Sequence, residues 1–146
     1  MNKKEVQKRV LQFGEQISLK DFEWDEDKKI FSTEEASLIL SFGDEDGITF
    51  KTGHECTFKT GDECTFNTGS RCTFDTGSYC TFETGKECIV IRRDVYEVIE
   101  LEEDKTTKLN DWGKKGYTVV NNEMIEIDGK NFSTSAIKEA LKEYTK

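Results

Sequence analysis

From Thr49 to Cys88 the chain repeats every eight residues without a gap. The blocks Thr49–Cys56, Thr57–Cys64, Thr65–Cys72, Thr73–Cys80 and Thr81–Cys88 share the pattern Thr-Phe-x-Thr-Gly-x-x-Cys, with five positions identical in all five blocks. A fixed period of this kind is the signature of a repeat architecture. Side chains alternate between faces along a strand, so Cys and Phe of Cys-Thr-Phe-x point one way, and Thr and the variable residue point the other. The variable residues, Lys51, Lys59, Asn67, Asp75 and Glu83, are all polar and face water. The inward ladder is therefore Cys56, Cys64, Cys72, Cys80 and Cys88 with Phe50, Phe58, Phe66, Phe74 and Phe82. The outward threonine ladder is Thr49, Thr57, Thr65, Thr73 and Thr81. Gly-x-x reads as the turn, with glycine supplying the positive φ of a tight corner.

Eight residues make one strand and one turn, which is half a coil. Two repeats close a flattened coil, so alternate repeats fall on opposite sheets, with Phe50, Phe66 and Phe82 on one and Phe58 and Phe74 on the other. Counting outward in steps of eight adds the inward pairs Leu40/Phe42, Ile48/Phe50, Cys88/Val90 and Tyr96/Val98. The expectation is a mainly β fold, a short two-sided β-solenoid of half-coils over about residues 38–99. It has about four coils at ~4.8 Å each. An antiparallel meander of the same strands is the rival, but it would not place like residues on like.

The flanks read as α-helical or mixed αβ caps of a single domain, 1–37 and 100–146. Val6, Val10, Phe13 and Ile17 fall on one face of a helix over 3–17. Strands are expected at Lys28–Ser32, Ser37–Phe42, Ile89–Ile91, Val95–Leu101, Tyr117–Val120 and Glu123–Ile127, with a polar connector at Lys108–Gly116 around Trp112. Asp128-Gly129 marks a hairpin. Ile137, Ala140, Leu141 and Tyr144 give a final helix over 134–145 its apolar face. Proline, which would interrupt long ladders, does not occur.

Charge narrows the function classes. The net charge is −9, and an acidic chain repels phosphate backbones, so nucleic acid is not an expected partner. Residues 48–88 carry four basic and six acidic side chains, a balance of only −2, so the acidity lies mainly on the flanks. No apolar run approaches the ~20 residues of a membrane span, and the first residues lack the apolar stretch of a secretory signal. The expected location is the bacterial cytoplasm or a virion.

No catalytic, cofactor or metal site is expected. Five cysteines spaced by eight match neither a zinc pattern nor a disulfide framework, and read as buried small apolar groups, with disulfides or metal as the weaker alternative. His54 is the one histidine. It occupies a turn position held elsewhere by Asp62, Ser70, Ser78 and Lys86, which suits a solvated turn and not a general base. The acidic runs Asp25–Asp27, Asp44–Asp46 and Glu102–Asp104 read as solvated loops before cation sites. The outward threonines could order ice-like water, but the charged column beside them breaks the plane, and β propensity accounts for them.

The run Cys-Thr-Phe-x-Thr-Gly resembles octapeptide arrays of bacteriophage and prophage proteins and their Gram-positive hosts. The segment from Ile127 to Tyr144 is similar to one recurring in small phage proteins. In general style the array also resembles pentapeptide-repeat solenoids, although its period is eight. None of these resemblances implies an activity. The leading expectation is a non-enzymatic structural or protein-binding module, phage- or prophage-encoded, with a protein partner and with self-association left open. The alternatives are an acidic DNA mimic acting on a DNA-handling enzyme, and an enzyme using flank carboxylates.

Overall fold

A computed structural model describes residues 1–43, 45–121, 124–127 and 130–133. It is mainly β, a solenoid of about four turns. The chain opens on helix α1 (Lys3–Gln7), then strands β1 (Val10–Gln12), β2 (Glu15–Gln16), β3 (Glu23–Asp25), β4 (Ile30–Ser32) and β5 (Leu38–Phe42). The octads supply β6 (Thr49–Lys51), β7 (Thr57–Thr60), β8 (Thr65–Asn67), β9 (Thr73–Thr76) and β10 (Thr81–Glu83). After them come β11 (Cys88–Arg92), β12 (Glu97–Leu101), β13 (Lys105–Leu109), β14 (Tyr117–Asn121), β15 (Met124–Ile127) and β16 (Lys130–Ser133).

Successive octads alternate between two seven-stranded sheets, ordered β12-β11-β9-β7-β5-β1-β2 and β14-β13-β10-β8-β6-β4-β3. Within the repeats every pairing is parallel between residues sixteen apart: Phe50 with Phe66, Phe66 with Phe82, Phe58 with Phe74. Parallel pairing excludes the meander. Like therefore stacks on like. Phe66 and Phe82 lie 4.9 Å apart at 3° and Phe58 and Phe74 5.0 Å apart at 10°, while rings across the core meet edge to face, as Phe58 and Phe66 do at 77°. All five rings are at most 1% exposed. Each contributes ~1.5–3 kcal/mol through burial, and the ring pairs add ~0.5–1.5 kcal/mol.

The N-terminal helix is shorter than expected. Asn2 caps it, accepting from the Glu5 amide at 2.9 Å, and it ends at Gln7. The chain then turns through Phe13 and Gly14, with φ of 51° and 83°, into the β1–β2 hairpin. Val6, Val10 and Ile17 are buried in this arrangement too, so the apolar spacing fits both conformations; Phe13, assigned to the helical face, is 84% exposed. Pairing of β1 along the open edge of β5 settles the matter, because it satisfies backbone groups that a helix there would leave unpaired.

Two register expectations also change. Leu40 pairs with Phe58 and Phe42 with Thr60, so Leu38 and not Leu40 stands level with Cys56. The turn after β5 is two residues longer than an octad turn, and a slip of two keeps the same side chains inside. Tyr96 and Val98 do not form an inward rung: they are 91% and 67% exposed. The chain reverses after Arg92, and β12 runs antiparallel to β11, pairing Val90 with Ile99. Antiparallel hairpins thus close the parallel stack at both ends, β1–β2 and β3–β4 at one, β11–β12 and β13–β14 at the other. Strand β13, whose last residues the sequence places in a polar connector, covers β10. Strands β15 and β16 pair antiparallel, Ile127 with Lys130. The turn residues 128–129 and the expected helix over 134–145 lie outside the described residues.

Candidate functional site: turn columns and outer faces

The octad corners are built by side chains reaching from one coil to the next. Asp46 Oδ1 accepts the Asp62 amide at 2.7 Å, and Asp62 Oδ1 accepts the Ser78 amide at 2.7 Å. On the opposite corner His54 Nδ1 accepts the Ser70 amide at 2.8 Å, and Ser70 Oγ accepts the Lys86 amide at 3.0 Å. His54 is thus exposed, yet it serves as a structural acceptor in a ladder of period sixteen. The sequence held a signal for this. The residue after each octad glycine that lies beneath a further octad coil, His54, Asp62 or Ser70, can accept a hydrogen bond, and Lys86, which cannot, ends its column.

Glycine has a different duty from the one expected. The positive φ falls on the residue before each cysteine: Glu55, Glu63, Arg71, Tyr79 and Glu87, all between 57° and 59°. The octad glycines are required by space. A Cβ on Gly53 would stand 2.7 Å from the Glu35 carbonyl, and a Cβ on Gly61, Gly69, Gly77 or Gly85 would overlap Asp46, His54, Asp62 or Ser70 respectively.

Cys56, Cys64, Cys72, Cys80 and Cys88 are free and at most 1% exposed. Each thiol donates to turn carbonyls, as Cys80 does to Gly61 and Ser78, both at 3.6 Å. The thiols also meet each other along a column. A hydrogen bond from Cys72 draws the Cys56 thiol down to about 7 against the opposing effect of burial. Hydrogen bonding to Cys64, together with burial, pushes Cys80 up. The second threonine of the octad is interior as well: Thr60 and Thr76 are 0% exposed, and Thr76 Oγ1 donates to the Gly77 carbonyl at 3.2 Å.

The outward threonines stack in register, Thr49, Thr65 and Thr81 on one sheet and Thr57 and Thr73 on the other. Beside them run Lys51, Asn67 and Glu83, and Lys59 and Asp75.

At the C-terminal end Arg92 occupies the interior threonine position above Thr76 and is 0% exposed. It pairs with Asp94 at 2.6 Å and donates to the carbonyls of Lys114 and Asp111 at 2.6 and 3.1 Å. Asp94 Oδ2 in turn accepts the Gly113 amide at 2.9 Å. Burial would raise the Asp94 carboxyl, but Arg92 and the Gly113 amide outweigh it and hold the carboxyl below its ordinary range. A concavity of about 310 Å³ lies beside this pair, lined by Asp46, Asp62, Arg93, Asp94 and Trp112 among others. Its carboxylates are engaged in the turn ladder and in the Arg92 pair.

The acidic runs are likewise engaged locally. Asp25 Oδ1 accepts the Lys28 amide at 3.0 Å, Glu45 meets Arg9 at 3.9 Å, and Glu102 pairs with Lys105; Asp44 lies outside the described residues. Among the described residues no group of three or more His, Cys, Asp or Glu side chains is placed to hold a metal ion. No helix among them is long and apolar enough to cross a membrane. No protein-family model, curated protein or solved structure matches the chain.

Proposed function

We propose that this protein is a non-catalytic, rigid display module for a protein partner, encoded by a phage or prophage. One observation carries the reading: four of the five identical octad positions have an interior or corner duty, while the variable strand residue points outward beside the first Thr on stiff sheets. Phe, Cys and the second Thr fill the interior, and Gly admits the acceptor of the neighbouring coil. Lys51, Asn67 and Glu83 then stand in register on one outer face, free to vary without cost to the fold. Their mixed signs favour recognition of a protein surface over imitation of the uniformly negative DNA backbone. A rigid array also loses little entropy on binding.

The test places a photo-crosslinking amino acid at Asn67 in producing cells. A discrete adduct is expected, lost when Lys51 and Glu83 are both replaced by Ala in a protein whose melting temperature is unchanged. Absence of any adduct from Asn67 and from neighbouring outward positions would count against the display reading. Turnover of a substrate by the purified chain would replace it with an enzymatic one.

A further inference from the structure

The outer face of the sheet holding β5, β7, β9 and β11 differs from that of the other sheet. Among the described residues its exposed large apolar side chains flank a polar centre: Leu11 on β1 and Ile39 on β5, 36% and 51% exposed, on one side, and Ile89 and Ile91 on β11 and Val98 on β12, 39%, 40% and 67% exposed, on the other. The two levels between are polar, Thr57 and Lys59 on β7, Thr73 and Asp75 on β9. On the other sheet the outward positions of β6, β8 and β10 are all Thr, Lys, Asn or Glu. Single exposed apolar residues are ordinary. Here their order along the stack, apolar, cationic, anionic, apolar, has a specific consequence.

Consider a two-fold axis parallel to the strands, passing between β7 and β9. It sets two copies face to face, reverses the order of levels, and keeps each outward column opposite itself. The in-register column Ile39, Thr57, Thr73, Ile89 then places Ile39 of one copy against Ile89 of the other, and Thr57 against Thr73. The column Ser41, Lys59, Asp75, Ile91 places Lys59 against Asp75 and Ile91 against Ser41. Each contact occurs twice, as an isologous interface demands. Slipping the copies by one level, ~4.8 Å, sets Lys59 against Lys59 in one direction and Asp75 against Asp75 in the other. Only the central register sets Lys59 against Asp75 while setting Ile39 against Ile89. Asp75 is also paired within its own copy, Oδ1 to Arg93 at 3.2 Å, and its side chain stays 38% exposed. Facing sheets pack ~10 Å apart, within reach of a lysine side chain.

We propose that this face binds a second copy of the chain, forming a two-fold dimer through Ile39, Lys59, Asp75, Ile89 and Ile91. The inference is independent of the partner proposed above, which meets the opposite sheet.

Light scattering on the full chain tests it. The mass is expected to rise to twice 16.8 kDa with concentration, and to return to the monomer value for Lys59→Glu and for Asp75→Lys. An equimolar mixture of those two variants should recover the dimer, since unlike charges then oppose each other on both sides of the axis. Ile39→Lys, which touches neither charge, should also give a monomer. Melting curves establish that each variant is folded, and Lys59→Glu with Ile39→Lys decide the question if Asp75→Lys is not. A wild-type monomer at every concentration would overturn the proposal, and so would a dimer indifferent to Lys59→Glu and Ile39→Lys.

Discussion

Asp62 Oδ1 occupies the space that a Cβ on residue 77 would need, and from there it accepts the Ser78 amide at 2.7 Å. The glycine of one coil is thus demanded by the acceptor of the coil before it. Gly77→Ala should lose this charge-assisted bond and force the backbone apart, costing about 3 kcal/mol. Gly43→Ala is the control, because its Cβ would meet only the flexible stem of Lys59 at 3.4 Å, and its effect should stay within ~0.5 kcal/mol. Urea midpoints at constant slope report both. Equal losses at the two sites would refute the account.

The same ladder sets an order among turn residues that look equally exposed and polar. Asp62→Ala strips the Ser78 amide of its acceptor and should cost ~1–2 kcal/mol. Lys86 donates its amide to Ser70 but its own side chain supports no amide above it, so Lys86→Ala should fall within ~0.5 kcal/mol of wild type. Asp62→Asn keeps an acceptor oxygen and should lie between them. Thermal midpoints of the three variants give the ranking.

How much of this the sequence discloses depends on what each residue's pattern distinguishes. The octad's alternation marks Cys and Phe as interior, because period two is a property of the strand itself. Glycine's identity is equally plain, but its reason is not: a repeated Gly fits a positive φ and a close approach alike, and here Glu55 and its equivalents carry the positive φ. Val6, Val10 and Ile17 satisfy both helix and hairpin, and the choice is made by the free edge of β5, a partner thirty residues away that local spacing does not register. Tyr96 continues the count of eight by position but follows Arg92, whose buried guanidinium ends the stack. His54 reads as a solvated turn residue, because the amide that donates to it, Ser70, lies sixteen residues away.

The thiols should be silent in the folded protein and unequal once it loosens. All five are at most 1% exposed, so a thiol reagent at neutral pH should modify them far more slowly than it modifies the denatured chain. As denaturant rises below the midpoint, Cys56 should label first, because the hydrogen bond from Cys72 lowers its thiol to about 7, whereas Cys80 is pushed up by Cys64 and by burial. Peptide mass spectrometry after brief labelling gives the order. Labelling of Cys80 ahead of Cys56, or rapid labelling of both in native buffer, would contradict the closed column.

Arg92 and Asp94 lock the C-terminal end, and their pair predicts a distinct pH response. Both side chains are 0% exposed and 2.6 Å apart, so Asp94→Ala strands a buried cation and should cost ~3–5 kcal/mol near neutral pH. The Asp94 carboxyl is held below its ordinary range when folded, so its stabilising contribution is complete above the unfolded value of about 3.9. It declines as pH falls through the lower folded value. The gap in stability between wild type and Asp94→Ala should therefore stay level from neutral pH to about 5 and narrow below about 4. Replacing both residues with apolar side chains should recover much of the loss, since no charge then remains inside. Denaturant melts of the three proteins across that range measure the gap directly, and one that widened on acidification would show that the pair does not hold this end.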